Sequence, residues 1–231
     1  MMDHEETDDR GSCSLLNTIT NQDFFRRKAK TIASDLIGMA LIRSDIGVGG
    51  IIVETEAYIN QVDPASHLAA GRTSRTEPFY SGPGTVYIFT IFGHDNLNFI
   101  SEYHDNPEGI LLRAVKPNKG VSKMQQNRDI ESTTKLAAGP GRLTEAFDIT
   151  QEEFNDRSLF ETPLCLYETD YSPKIQVTSR VGISEADDWP LRFVDQQSKE
   201  YLSQSVTDKS LNHRAVRNAY EKLKSTDRNS T

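Results

Sequence analysis

Ile51-Ile52-Val53-Glu54-Thr55-Glu56-Ala57-Tyr58 sets two carboxylates and a phenol into an otherwise apolar run. A strand alternates its side chains, so the stretch predicts Ile52, Glu54, Glu56 and Tyr58 on one face and Val53, Thr55 and Ala57 on the other. The acids then look into the same space. An edge strand with a wetted face would carry this pattern for no functional reason. The downstream sequence offers a second reading, through the loop Asp63-Pro64-Ala65-Ser66-His67 and the run Gly82-Pro83-Gly84-Thr85-Val86-Tyr87-Ile88-Phe89-Thr90-Ile91-Phe92-Gly93. Acid, phenol, imidazole and aromatic rings in so short a span suggest a site that sandwiches something flat beside a general base.

Upstream, Met39 to Arg43 reads as a strand, and the glycine-rich turn Asp45 to Gly50 joins it to the opening stretch as a hairpin. That turn lacks the strand-to-helix context and the Lys-Ser/Thr ending of a nucleotide phosphate loop. Thr20-Asn21-Gln22-Asp23 resembles a capping box, with Phe24, Phe25, Ala29, Ile32, Ala33, Leu36 and Ile37 at helical spacing until Gly38. From 59 to 83 prolines and glycines break any period, and so long a loop in a compact domain is usually functional or disordered. Arg72 and Arg75 lie within it beside Thr73, Ser74 and Thr76, a composition suited to phosphate contacts.

Val86 to Phe92 alternates as a strand, Gly93 to Asn96 turns the chain, and Leu97 to Ser101 returns, leaving Phe92 at the hairpin tip. There it either packs under a neighbouring loop or acts as a wedge between base steps, as in proteins that kink duplexes. Gly109 to Val115 is an apolar strand with Arg113 in its middle, which must face an acid, a phosphate or a site water. Residues 118–126 and 140–147 predict short helices. Gly139-Pro140 opens the second, and with Arg142 it makes an anion site. Thr150 to Glu153 caps an acidic helix, three further strands fall at 164–167, 175–181 and 191–194, and an exposed helix is expected at 215–223.

A chain of 231 residues with 36% apolar content suits one sizeable domain. Cys13 and Cys165 match neither a metal spacing nor a disulfide framework, and the five histidines lack ligand spacing, so no metal or other cofactor is expected. With no leader-like or spanning run, a soluble intracellular protein is expected, without a membrane partner. The net charge of −8 argues at first against a polyanion, yet its distribution is uneven. Residues 1–10 carry five acids and one base, 145–171 eight acids and only Arg157, whereas 113–142 hold seven bases and two acids. A polarised surface and two ordinary solvated faces both fit. The expected division is an acidic disordered tail at 1–19, a domain at 20–204 and a polar, basic extension at 205–231.

Taken in order, these segments resemble the methylpurine-DNA glycosylase family: Val53 to Tyr58, Asp63 to His67, Pro83 to Tyr87, Asn98, Leu111 to Ala114, Gly139 to Leu143, Arg180 to Ile183 and Pro190 to Phe193. The resemblance implies a single α+β domain with a mixed, mostly antiparallel curved sheet, peripheral helices and a protruding β-hairpin. In outline it is similar to the C-terminal domain of formyltransferases. It also implies a DNA repair enzyme that flips alkylated or deaminated purines from double-stranded DNA and hydrolyses the glycosidic bond, acting as a monomer. On this resemblance Glu56 is the general base and Arg113 helps hold the water. Tyr58 and His67 stack on the flipped base, the backbone around Ala65 and His67 reads its edge, and Phe89 closes the sandwich. Phe92 fills the gap left in the duplex, and Asn98 obstructs the amino group of normal guanine. Phenylalanines at 89 and 92 keep the ring surfaces of the family's tyrosines without their hydroxyls, and the turn from Gly93 to Asn98 is one residue shorter. Glu54 is expected in a structural ion pair. A non-catalytic nucleic-acid-binding module and a hydrolase of free nucleosides are the alternatives.

Overall fold

The computed structural model describes residues 14–103, 105–207 and 210–227. Its strands are β1 (Leu15–Thr18), β2 (Ala40–Arg43), β3 (Val48–Tyr58), β4 (Thr85–Ile91), β5 (His94–Tyr103), β6 (Asn106–Lys119), β7 (Arg157–Ser158), β8 (Leu164–Thr169), β9 (Ile175–Ser179) and β10 (Pro190–Asp195). The helices are α1 (Ala29–Asp35), α2 (Val121–Arg128), α3 (Pro140–Ala146), α4 (Gln151–Phe154) and α5 (His213–Asp227). The strands form one open sheet in the order β1-β8-β2-β3-β6-β5-β4-β7, antiparallel throughout. This is an α+β single domain whose helices lie at the periphery.

The sheet branches at β3. Its first half pairs with β2 from Val48 to Ile51, and its second half pairs with β10 from Glu54 to Glu56, while β6 runs along the other edge. Against β6 the register slips three times, between Gly49 and Gly50, between Ile52 and Glu54 and between Glu54 and Thr55. The middle slip adds a residue, Val53, to β3 and the last adds Arg113 to β6. A bulge lets two consecutive side chains face the same way. Accordingly Ile52 and Ala57 join the main core with Ile110, Leu112 and Val115, whereas Ile51 and Val53 pack with Ala114 and Val194 on the opposite side. Thr55 donates its hydroxyl to the Ala33 carbonyl of α1, on the main-core side. Glu54, Glu56 and Tyr58 do share a face, but strict alternation misassigned Ile52 and Val53, which the bulge exchanges.

Further expectations change. The helix expected through 24–37 is two pieces: a 3-10 turn at Gln22–Phe25, capped by Asn21 rather than Thr20, and then α1. The break falls at Lys28, where the first N–H of α1, on Ala29, is taken at 2.6 Å by Glu108 from β6. Residues 1–13 of the expected tail lie outside the described residues, but Leu15–Thr18 is an edge strand on β8. The helix expected to be exposed near the C-terminus buries Val216, Ala219, Tyr220 and Leu223 in the main core, a stripe at i, i+3, i+4 and i+7. The long loop 59–83 carries two 3-10 turns, His67–Ala70 and Glu77–Tyr80.

β4 and β5 pair without slippage from Val86↔Phe99 to Ile91↔His94, so the turn is the two residues Phe92 and Gly93. It comes earlier than the glycine pattern suggested. Both have positive φ, 51° and 82°, the backbone that two-residue hairpins use to match strand twist. Phe92 is 95% exposed, with Ile91 beside it half exposed.

Candidate active site

The face that carries Glu56 and Tyr58 continues across the sheet through Gly109, Leu111, Asn98, Asn96, Tyr87, Phe89 and Ile91, and these residues floor a cavity of about 400 Å³. Ala65, Ser66 and His67 wall it on one side, and Val181, Gly182, Ile183, Pro140 and Gln204 contribute elsewhere. The His67 loop is anchored from below. Asp63, fully buried, forms a two-pronged ion pair with Arg180 at 2.5 and 2.9 Å and accepts the N–H groups of Ile59 and Ala65. Arg180 also donates to the Ala57 carbonyl and lies 4.6 Å over the Tyr58 ring. Such a buried pair is costly to break, on the order of 3–5 kcal/mol, so loop and strand are held as one piece.

Glu56 is fully buried and sits one layer behind the cavity wall. Its carboxylate accepts from the Tyr58 hydroxyl at 2.8 Å, from Arg113 Nη1 at 3.2 Å and from the Val181 N–H at 2.7 Å. All three donors belong to residues that line the cavity. Burial, reinforced by the negative charge of Glu56, holds the Tyr58 phenol well above its ordinary pKa, so Tyr58 stays a neutral donor. Arg113 meets Glu54, as its buried position required, through Nε at 2.9 Å.

His67 and Phe89 meet edge to face, with centroids 4.6 Å apart, and Tyr87 stands behind both. His67 Nδ1 lies 2.9 Å from the Tyr87 hydroxyl and Nε2 lies 3.3 Å from Arg75 Nη2. Arginine can only donate, so Nε2 accepts and the proton rests on Nδ1. Burial, and then the charge of Arg75, lower the His67 pKa to about 4. Asn98 is buried and spends its amide N–H groups on the carbonyls of Tyr87 and Asn96.

Thus Glu56, Arg113, Tyr58, Ala65, His67, Phe89, Asn98 and Phe92 gather at one cavity, with Glu56 behind it and the other seven on its surface. The three arginines considered for phosphate contacts do not gather. Arg72 pairs with Glu77 and lies 4.3 Å over the Tyr80 ring, and Arg75 turns to His67. Arg142, bonded to the Ala138 carbonyl, shares a neighbouring cleft with Phe92, His94 and Arg128. Sequence reasoning left Tyr87, Asn96 and the Asp63–Arg180 pair without a role. Asp63 and Arg180 already stood in matching segments, but only the fold pairs them across so long a separation. Among the described residues no cluster of His, Cys, Asp or Glu could hold a metal ion, and no helix is long and apolar enough to cross a membrane.

Comparison with known proteins gives this arrangement its class. The chain is 35% identical over 178 residues to a protein of Oceanobacillus iheyensis, covering 74% of this chain and 89% of that one. It is 37% identical over 177 residues to one of Methanoculleus marisnigri, covering 74% and 91%, and 35% identical over 196 residues to one of Listeria monocytogenes, covering 81% and 94%. Each carries the name "Putative 3-methyladenine DNA glycosylase", so the class is that of the DNA glycosylases. Residues 23–199 match the methylpurine-DNA glycosylase family. The chain belongs to that family.

Proposed function

We propose that the protein is a monofunctional DNA glycosylase that removes alkylated or deaminated purines from double-stranded DNA. The observation that carries this reading is the buried Glu56 carboxylate, held by three residues that themselves line an aromatic cavity. Water cannot reach the glycosidic bond inside a duplex, so the nucleotide must turn out into a pocket. Phe92 fills the vacated place in the stack, which offsets part of the unstacking cost. A purine alkylated at N3 or N7 is cationic, and the rings of Tyr58, His67 and Phe89 attract it by about 0.5–2 kcal/mol each once water is excluded. Arg113 and Glu56, bonded to one another, together hold a water at the cavity wall. Glu56 takes its proton, the oxygen bonds to C1′, and the glycosidic electron pair leaves with the base. No lysine stands among the described residues lining the cavity, so hydrolysis rather than amine attack is the route.

The test is base release from duplexes carrying 3-methyladenine, 7-methylguanine, ethenoadenine or hypoxanthine, each at two salt concentrations. Wild-type protein is expected to release at least one of them, and Glu56→Gln to lose about 10²–10⁴-fold in rate while still binding a duplex with an abasic-site analogue. Release from none of the four would sink the reading.

A further inference from the structure

Behind Arg113 lies a second carboxylate with a denser set of partners than a simple ion pair needs. Glu54 is fully buried, and its Oε1 accepts from Arg113 Nε at 2.9 Å, Arg192 Nε at 2.8 Å and the Ser203 hydroxyl at 2.7 Å. Its Oε2 accepts the Ser203 N–H at 2.6 Å. The Ser203 oxygen in turn accepts from Arg113 Nε and Nη2, at 3.3 and 3.1 Å. One edge of the guanidinium is therefore held by Glu54 and Ser203, while Nη1 reaches Glu56. A guanidinium is a rigid plane, so fixing one edge orients the other.

We propose that Glu54, with Ser203, is a positioning residue for base release: it aims Arg113 and keeps two arginines from converging on Glu56. The assignment rests on the reading of Glu56 as the acid that activates water. Arg192 stands directly opposite Glu56 in the β3–β10 ladder. Without the charge of Glu54, Arg113 and Arg192 would be two buried cations competing for Glu56, and an acid saturated by arginine has no free lone pair for water. The bulges in β3 and β6 turn Glu54 and Arg113 toward one another at the point where the register slips. Ser203 comes from outside the sheet, and its neighbour Gln204 lines the cavity and accepts from Arg192 at 2.7 Å.

The experiment is single-turnover release from whichever of the four lesion duplexes wild type cleaves fastest. Glu54→Gln is expected to slow release about 10²-fold and Ser203→Ala about 10-fold, because small misplacements of a reacting group cost rates of that order. Affinity for the abasic-analogue duplex should change by less than about 3-fold, separating chemistry from binding. In an Arg113→Met background, Glu54→Gln should slow release by far less than its about 10²-fold effect alone, since the aiming of Arg113 is already gone and only the restraint on Arg192 remains to be lost. A wild-type rate in Glu54→Gln, or losses that multiply in the double variant, would overturn the assignment. If Glu54→Gln does not fold, Ser203→Ala decides, and a wild-type rate there overturns it equally. A wild-type protein that releases none of the four bases removes the role of Glu56, and this assignment with it.

Discussion

At the scale of single residues, the site depends on groups kept in one protonation state by what surrounds them. His67 combines burial with a neighbouring arginine, and its pKa near 4 makes it a neutral imidazole through the physiological range. Because the folded value lies below the ordinary 6.5, the folded chain does not take up the proton that the unfolded chain binds between about pH 6.5 and 4. Stability from this residue is present above pH 6.5 and lost as the pH falls toward 4. Nitrogen-15 NMR of the free protein should find His67 neutral at pH 6 with its proton on Nδ1. An imidazolium there at pH 6 would contradict both the burial and the Arg75 contact. The identities of Glu56, Tyr58, His67 and Arg113 were legible because an acid, a phenol, an imidazole and a guanidinium in apolar surroundings each demand an explanation. What the sequence hid was mediation, since the links from Tyr87 to His67 and from Val181 to Glu56 join residues distant along the chain.

At the scale of elements, the β4–β5 hairpin carries the clearest conflict between local preference and position. A non-glycine residue at φ 51° costs about 1–2 kcal/mol, and a phenylalanine that is almost wholly exposed recovers none of it by burial. Phe92→Gly is therefore expected to leave the protein as stable as wild type or more so by up to about 1 kcal/mol, after the entropy cost of glycine. The same change should weaken binding to lesion duplex and slow base release. Thermal denaturation and a release assay on one preparation check both halves, and a destabilised variant would mean that Phe92 packs within the fold. Strand positions were readable from alternation and turn chemistry. The bulges were not, because nothing in Val53-Glu54 or Arg113-Ala114 marks a surplus residue until the two strands are laid together. The break at Lys28 was hidden likewise, since its cap is the side chain of a residue on another strand.

At the scale of the whole molecule, β6 joins the cavity to the C-terminal helix. On the core side it carries Glu108, fully buried, bonded to the Ala29 N–H and, at 3.3 Å, to the Tyr220 hydroxyl of α5. Burial pushes the Glu108 carboxyl up from 4.5 to about 8, so the folded chain retains a proton that the unfolded chain releases between those values. Its contribution to stability therefore falls as the pH rises from about 4.5 to about 8 and levels off above. Glu108→Gln removes that slope, and its melting temperature relative to wild type should climb between pH 5 and pH 8. A difference constant across that range would mean that Glu108 is ionised in the fold. The docking of α5 could have been found, since its apolar stripe has helical spacing, but the polar residues around it disguised the stripe as surface. Finally, the partners of the β3 acids come late in the chain: Glu54 needs Arg192 and Ser203, and Glu56 needs the N–H of Val181. During synthesis these carboxylates leave the ribosome long before the groups that will enclose them, and they remain hydrated until then. The enclosure of these acids is thus complete only once residue 203 has emerged, and a nascent chain cut short before it would carry Glu54 without the serine that it shares with Arg113.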